Sequence, residues 1–94
     1  MKTSYTYILT NEKRTMLYIG VTSKLYHRIV EHKEGKGSAF TKKYELKILL
    51  YFEEFTAIDQ AIAREKQLKN WHKEWKWNLI KTKNPELKDL FEQM

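Results

Sequence analysis

The stretch "YTYILTNEKRTMLYIGVTSKLYHRIVEH", Tyr5 to His32, carries two short runs rich in β-branched and aromatic residues, Tyr5–Thr10 and Met16–Thr22, around the polar Asn11–Arg14. That pattern predicts an antiparallel hairpin. With a four-residue loop, directly opposed positions sum to 25, so Tyr7 is expected to face Tyr18. Alternation then puts Tyr5, Tyr7, Tyr18 and Gly20 on one side of the sheet and Ile8, Leu17, Ile19 and Val21 on the other. Thr22 or Ser23 can cap a following helix from Lys24 to Glu34, which Gly35 and Gly37 end. On that helix Arg28 and His32 stand one turn apart, beside Leu25 and Ile29 on the inward stripe.

Working outward, "GKGSAFTKKY" reads as a basic loop, and Leu46 to Phe52 as a strand too apolar to be covered on one face only. Helical spacing returns from Ala57 to Lys69, Asn70 is a break or cap, and "NWHKEWKWNLIKTK" continues as a second helix that Asn84-Pro85 stops. "ELKDLFEQM" has room for one last turn. The expected fold is α/β (α+β), a central three-stranded antiparallel sheet flanked by helices in the order β-β-α-β-α-α. No repeat, low-complexity tract or linker divides the chain, so residues 1–94 read as one domain.

Composition narrows the function. At 94 residues and 41% hydrophobic content the chain can bury one core, and with no cysteine it has no disulfide, thiolate metal site or cysteine nucleophile. The net charge of +6 comes from 18 Lys and Arg spread along the sequence. Such a field favours a polyanion, nucleic acid first and an anionic membrane second. The opening "MKTSYTYILTNEKR" has only a short apolar run, and no 18-residue apolar stretch exists, so neither a signal peptide nor a membrane span is expected. The cytoplasm is the expected location.

Three features stand out from ordinary packing. Any one of the tyrosines can be a plain strand aromatic, but an arginine and a histidine on a core-facing flank are costly unless they meet an anion or line a cleft. Glu65 is placed near the centre of a helix face made by Ile58, Ala61, Ile62 and Leu68. A carboxylate there calls for a partner: a basic side chain such as Arg28, or a divalent cation.

Taken in order, "YTY" and "YIG" with Tyr7 and Tyr18 eleven residues apart, then Arg28, His32 and Glu65, resemble the GIY-YIG endonucleases, and "REKQLKNWHKEWKWNLIKTKNPELKDL" is similar to their small stand-alone members. The resemblance runs over nearly the whole chain. Tyr5 departs from it, standing where the family has its glycine. What the resemblance implies is phosphodiester hydrolysis with one metal ion: Tyr7 and Tyr18 as the motif tyrosines, Arg28 as the family's arginine, His32 as the residue one turn later, Glu65 as the metal ligand and Asn84 as the late asparagine.

These residue types suit that chemistry. A guanidinium offsets charge that builds on phosphoryl oxygens, and a metal steadies the leaving oxygen. A free phenol, with a pKa of about 10, is a poor base unless nearby cations lower it, a task for Arg28 and the metal at Tyr7; His32 either assists proton transfer or holds Tyr7. One carboxylate with a lone histidine suits Mg²⁺ or Mn²⁺ rather than zinc. Lys36, Lys42 and Lys43 are the expected phosphate contacts, extended by Lys66, Lys69, Lys73 and Lys76 or else simply solvated, with Phe40 either stacking or in the core. Trp71, Trp75 and Trp77 read as core or partner-facing. The expected partner is DNA, met by a monomer or weak homodimer. The competing readings are a non-catalytic module for DNA or RNA on the same fold, and an interaction domain docking through its Trp-rich helix.

Overall fold

The computed structural model describes residues 3–94; Met1 and Lys2, the start of the stretch inspected for a leader, lie outside them. Strands β1 (Ser4–Thr10), β2 (Leu17–Thr22) and β3 (Ile48–Phe55) form an antiparallel sheet in the order β2-β1-β3. Helix α1 (Leu25–Lys33) and a short α2 (Ala39–Lys43) lie between β2 and β3, and α3 (Ile58–Lys69), α4 (Lys73–Lys83) and a 3₁₀ turn (Leu90–Gln93) follow β3. The expected α/β architecture and element order are met, with α2 added where a basic loop was expected. Ser38 explains it: its Oγ accepts from the Thr41 backbone N–H at 3.2 Å, capping a helix in a segment that otherwise looks like a polar connection.

The hairpin register differs from the expected one. Tyr7 pairs with Gly20 and Leu9 with Tyr18, so opposed numbers sum to 27 and the connection runs from Asn11 to Met16. Asn11 makes the longer loop: its Oδ1 accepts from the backbone N–H of Thr15 and Met16 at 2.8 and 3.1 Å, and Arg14 takes φ 56° at the turn. A shift of two residues in the sum preserves side-chain parity, so Tyr7, Tyr18 and Gly20 still share a face.

Helices cover the sheet on both sides. Tyr7, Leu9, Leu25, Ile29, Leu46 and Leu49 form one core, and Ile8, Ile19, Leu50, Tyr51, Leu68 and Ile80 the other. Consecutive residues Leu50 and Tyr51 reach the same core because the pairing slips there, from Ile8–Tyr51 to Leu9–Leu49, leaving Leu50 as a bulge. The buried Asn84 closes this irregularity. Its Nδ2 donates to the Leu50 carbonyl at 3.0 Å and to Lys88 O at 2.9 Å, while its Oδ1 accepts from Lys88 N–H.

Helix α3 is rotated from the face its periodicity suggested. Ala61 and Leu68 are buried, whereas Ile58 and Ile62 are exposed. The small Ala61 allows a close approach to the sheet, where the buried Thr6 hydroxyl donates to the Ala61 carbonyl at 2.7 Å. Trp71 and Trp77 pack on the second core, while Trp75 is exposed.

Candidate active site

Tyr7, Tyr18 and His32 meet in one cluster. Their ring centroids are 6.4 Å apart for Tyr7–Tyr18 and 5.8 Å for each tyrosine to His32. Two glycines make this packing possible. A Cβ on Gly20 would lie 2.5 Å from Tyr7 Cζ and Oη, and one on Gly37 would lie 2.1 Å from His32 Nδ1. Helix α1 brings His32 inward in its last turn and ends at once: Gly35, at φ 76°, donates its N–H to His32 O, and Lys36 N–H to Glu31 O. This doubled backbone closure turns the chain back so that Gly37–Thr41 crosses the imidazole.

The Tyr7 hydroxyl lies 2.9 Å from His32 Nε2, and His32 Nδ1 lies 3.0 Å from Thr41 Oγ1, which in turn lies 3.1 Å from both Ser38 O and Ser38 Oγ. We assign the Nδ1–H tautomer, because only it gives each proton of the buried chain an acceptor. Thr41 donates to Ser38 O, His32 Nδ1–H donates to Thr41 Oγ1, and Tyr7, 1% exposed, donates to His32 Nε2. Burial first, and the Arg28 charge second, lower the His32 pKa from 6.5 to about 4. The imidazole is therefore neutral at pH 7 and faces the phenol as an acceptor.

Tyr7 differs from the expected activated phenol. Burial raises its pKa to about 12, outweighing the downward pull of the Arg28 guanidinium, while the charge of Glu65 adds to the rise. Arg28 thus adjoins Tyr7 from α1 and also pairs with Glu31 at 3.3 Å. Tyr5 points elsewhere: its hydroxyl donates to Glu54 at 3.2 Å, so the residue in the place of the family's glycine stays out of the cluster.

Glu65 does not form a buried pair with Arg28. Its side chain is 20% exposed, and its carboxylate meets Lys69 Nζ at 3.3 Å, a pair along one helix face. Thr6, by holding the carbonyl of Ala61, fixes the turn of α3 that carries Glu65. Among the described residues no three His, Asp or Glu side chains converge as a metal cage. A lone, accessible carboxylate suits a hard cation that keeps most of its waters and takes the rest of its shell from a phosphate; it does not suit zinc.

The lysines divide. Lys42 and Lys43 extend from α2, Lys36 is exposed with Glu34 3.9 Å away, and Lys69 is engaged with Glu65. Asn84, with both amide protons spent on Leu50 and Lys88, has no side-chain donor left to offer a phosphate. The residues that sequence reasoning missed are Ser38 and Thr41. Their signal is a Ser-x-x-Thr helix start just after the glycines that end α1.

Residues 3–85 match the GIY-YIG catalytic domain. The chain is similar to UPF0213 protein SH2523 of Staphylococcus haemolyticus, 34% identical over 80 residues that cover 85% of this chain and 96% of the relative. A UPF0213 protein of Syntrophus aciditrophicus is 36% identical over 87 residues, 92% of this chain and 98% of that one. UPF0213 protein SpyM50708 of Streptococcus pyogenes is 38% identical over 65 residues, 68% of each. No solved structure matches the chain significantly. A match that runs from β1 through α4 and takes in both tyrosines, Arg28, His32 and Glu65 settles the family: the chain belongs to the GIY-YIG catalytic domains, a family of endonucleases.

Proposed function

We propose that residues 1–94 act as one metal-dependent endonuclease domain that hydrolyses phosphodiester bonds in DNA, with structure-directed or weak sequence preference. The observation that carries this reading is the hydrogen-bonded chain Ser38–Thr41–His32–Tyr7, ending in a neutral imidazole that accepts from a buried phenol beside an arginine. A standing phenolate is disfavoured at Tyr7, but none is needed. As a water oxygen bonds to phosphorus and the bond to the leaving strand breaks, the water proton passes to Tyr7 Oη while the Tyr7 proton passes to His32 Nε2; the leaving oxygen takes a proton from solvent, and His32 releases its own to solvent to restore the neutral pair. Arg28 offsets the charge that grows on the phosphoryl oxygens, and Tyr18 orients the phosphate or water. Thr41, which touches neither, is a positioning residue that keeps Nε2 free. Glu65 would hold Mg²⁺ or Mn²⁺, which supplies Lewis-acid stabilisation of the leaving oxygen.

Net charge of +6 and the α2 lysines Lys42 and Lys43, which join no ion pair among the described residues, support a nucleic-acid substrate held mainly through phosphates. No helix among the described residues is long and apolar enough to cross a membrane. The reading has the enzyme work in the cytoplasm as a monomer or weak homodimer. The test is incubation with labelled duplex, branched, flapped and single-stranded DNA, in Mg²⁺, Mn²⁺ or chelator, with Tyr7→Phe and Arg28→Ala alongside. Metal-dependent cleavage lost in both variants is expected. The second reading, a non-catalytic nucleic-acid module, is favoured by the high Tyr7 pKa; binding without cleavage of any substrate would establish it.

A further inference from the structure

Helix α2 turns two different faces to its surroundings. Thr41 points inward to His32, whereas Phe40 and Tyr44 are left 42% and 39% exposed. These two rings are not scattered surface aromatics. Phe40 is stacked on Tyr18, with centroids 6.2 Å apart and planes at 25°, and Tyr44 follows Phe40 at 4.9 Å with its ring tilted by 55°. An aromatic ladder therefore leads from the candidate active site out to solvent.

Its setting is cationic. Gly35 to Tyr44 contains three lysines and no acidic residue. Lys42 and Lys43 take part in no ion pair among the described residues, and Lys43 Nζ lies 5.2 Å above the Tyr44 ring. An apolar protein partner would gain nothing from such a rim. A ligand with flat π faces strung on phosphates satisfies both features, and base–aromatic stacking is the usual device for it. Paired bases inside a duplex have their faces covered, so only an unpaired base can reach the ladder.

We propose that Phe40 and Tyr44, continuing from Tyr18, form a stacking subsite for an unpaired nucleobase of DNA next to the bond being cut, with Lys42 and Lys43 on the flanking phosphates. The substrate is then DNA with a junction between paired and unpaired segments. The proposal rests on the nuclease reading only for the position of the scissile bond.

The test uses the full chain in chelator, so that binding is read without cleavage. Its probes are a duplex with a single-stranded overhang, 5′ or 3′ tested separately, carrying 2-aminopurine at the junction, and the same duplex fully paired. The expected result is quenching of 2-aminopurine on binding and tighter binding of an overhang than of the paired duplex, by roughly 5- to 150-fold, the factor that one stacked base provides. Phe40→Leu, which keeps apolar cover and loses the π face, should remove most of the quenching and preference while leaving paired-duplex affinity unchanged; Phe40→Tyr should retain both. No quenching in the wild type, equal affinity for paired and overhang DNA, or a Phe40→Leu protein that quenches like the wild type would overturn the subsite. Self-association that Phe40→Leu abolishes would overturn it in favour of a second copy as the occupant. Cleavage in Mn²⁺ separates the two ideas. A protein that quenches but cuts nothing keeps the subsite and loses the nuclease, while one that cuts paired and overhang DNA equally, without quenching, keeps the nuclease and loses the subsite.

Discussion

The Tyr7 hydroxyl and His32 Nε2, 2.9 Å apart, stand as donor and acceptor in a pair against which two glycines pack. Burial keeps both groups neutral, raising the phenol to about 12 and lowering the imidazole to about 4. The histidine is thus a buried base whose neutrality has a measurable consequence for stability.

The unfolded chain protonates His32 near pH 6.5 and the folded chain only near 4. Between those values the unfolded state holds more protons, so stability is intact above pH 6.5 and declines as pH falls toward 4. Arg28 adds to the effect from α1, Glu31 opposes it, and Tyr7 and Thr41 contribute no charge. Thermal melts from pH 7 to 4 should show a steeper loss for the wild type than for His32→Gln. Carboxylates such as Glu53, whose pKa is lowered by Arg64 and Tyr51 against the opposing effect of burial, add an acid loss common to both proteins. Parallel curves would mean that His32 is not held neutral.

Thr41→Val keeps the shape and removes the hydroxyl that fixes the imidazole tautomer. The loss of a buried hydrogen bond should destabilise by about 1–3 kcal/mol. DNA binding should persist, cleavage should fall by roughly 10- to 100-fold, since a lost general-base function costs up to 10⁴, and the pH dependence of the residual rate should change. Thr41→Ser should restore rate and profile. A valine variant that is less stable but has the wild-type profile would reduce Thr41 to packing.

How far the sequence discloses this site depends on the range of the interactions. Alternation placed Tyr7, Tyr18 and Gly20 on one face, and helical spacing placed Arg28 beside His32, because both follow from local geometry. Loop length did not follow, since Asn11 adds two residues to the turn through side-chain bonds that alternation does not register. The face of α3 was misjudged for a related reason: Ile58 and Ile62 suggested the buried side, yet the contact is made by the small Ala61 against Thr6. Arg28 and a bound metal are the cations expected to acidify Tyr7; against Arg28 alone, burial, a tertiary property, prevails and raises the phenol.

Asn84 supports a further expectation. The Leu50 bulge places a carbonyl in the interior where the Asn84 amide donates to it, so Asn84→Asp, which removes the donor and adds charge, should destabilise by about 2 kcal/mol or more. Asn84→Ala should also lower the melting temperature. Unchanged melts in both, with weaker DNA binding, would return Asn84 to a nucleic-acid role.

Glu65 gives the last prediction. Its partner is Lys69, on the same helix and half-exposed, and such i, i+4 pairs contribute only about 0.3–0.5 kcal/mol. Glu65→Gln should therefore leave the metal-free melting temperature nearly unchanged, whereas a buried pair with Arg28 would have lost several times more. If the carboxylate holds the cation, Mn²⁺ should raise the melting temperature of the wild type and not that of Glu65→Gln, and the variant should bind DNA without cutting it. A Lys69→Met protein supplies the control: it frees Glu65 from its only ion-pair partner among the described residues, so metal affinity should rise or hold while the electrostatic grip on DNA weakens slightly. Equal Mn²⁺ stabilisation in the wild type and Glu65→Gln would remove Glu65 as the ligand, and a large metal-independent loss in Glu65→Gln would make it a structural residue.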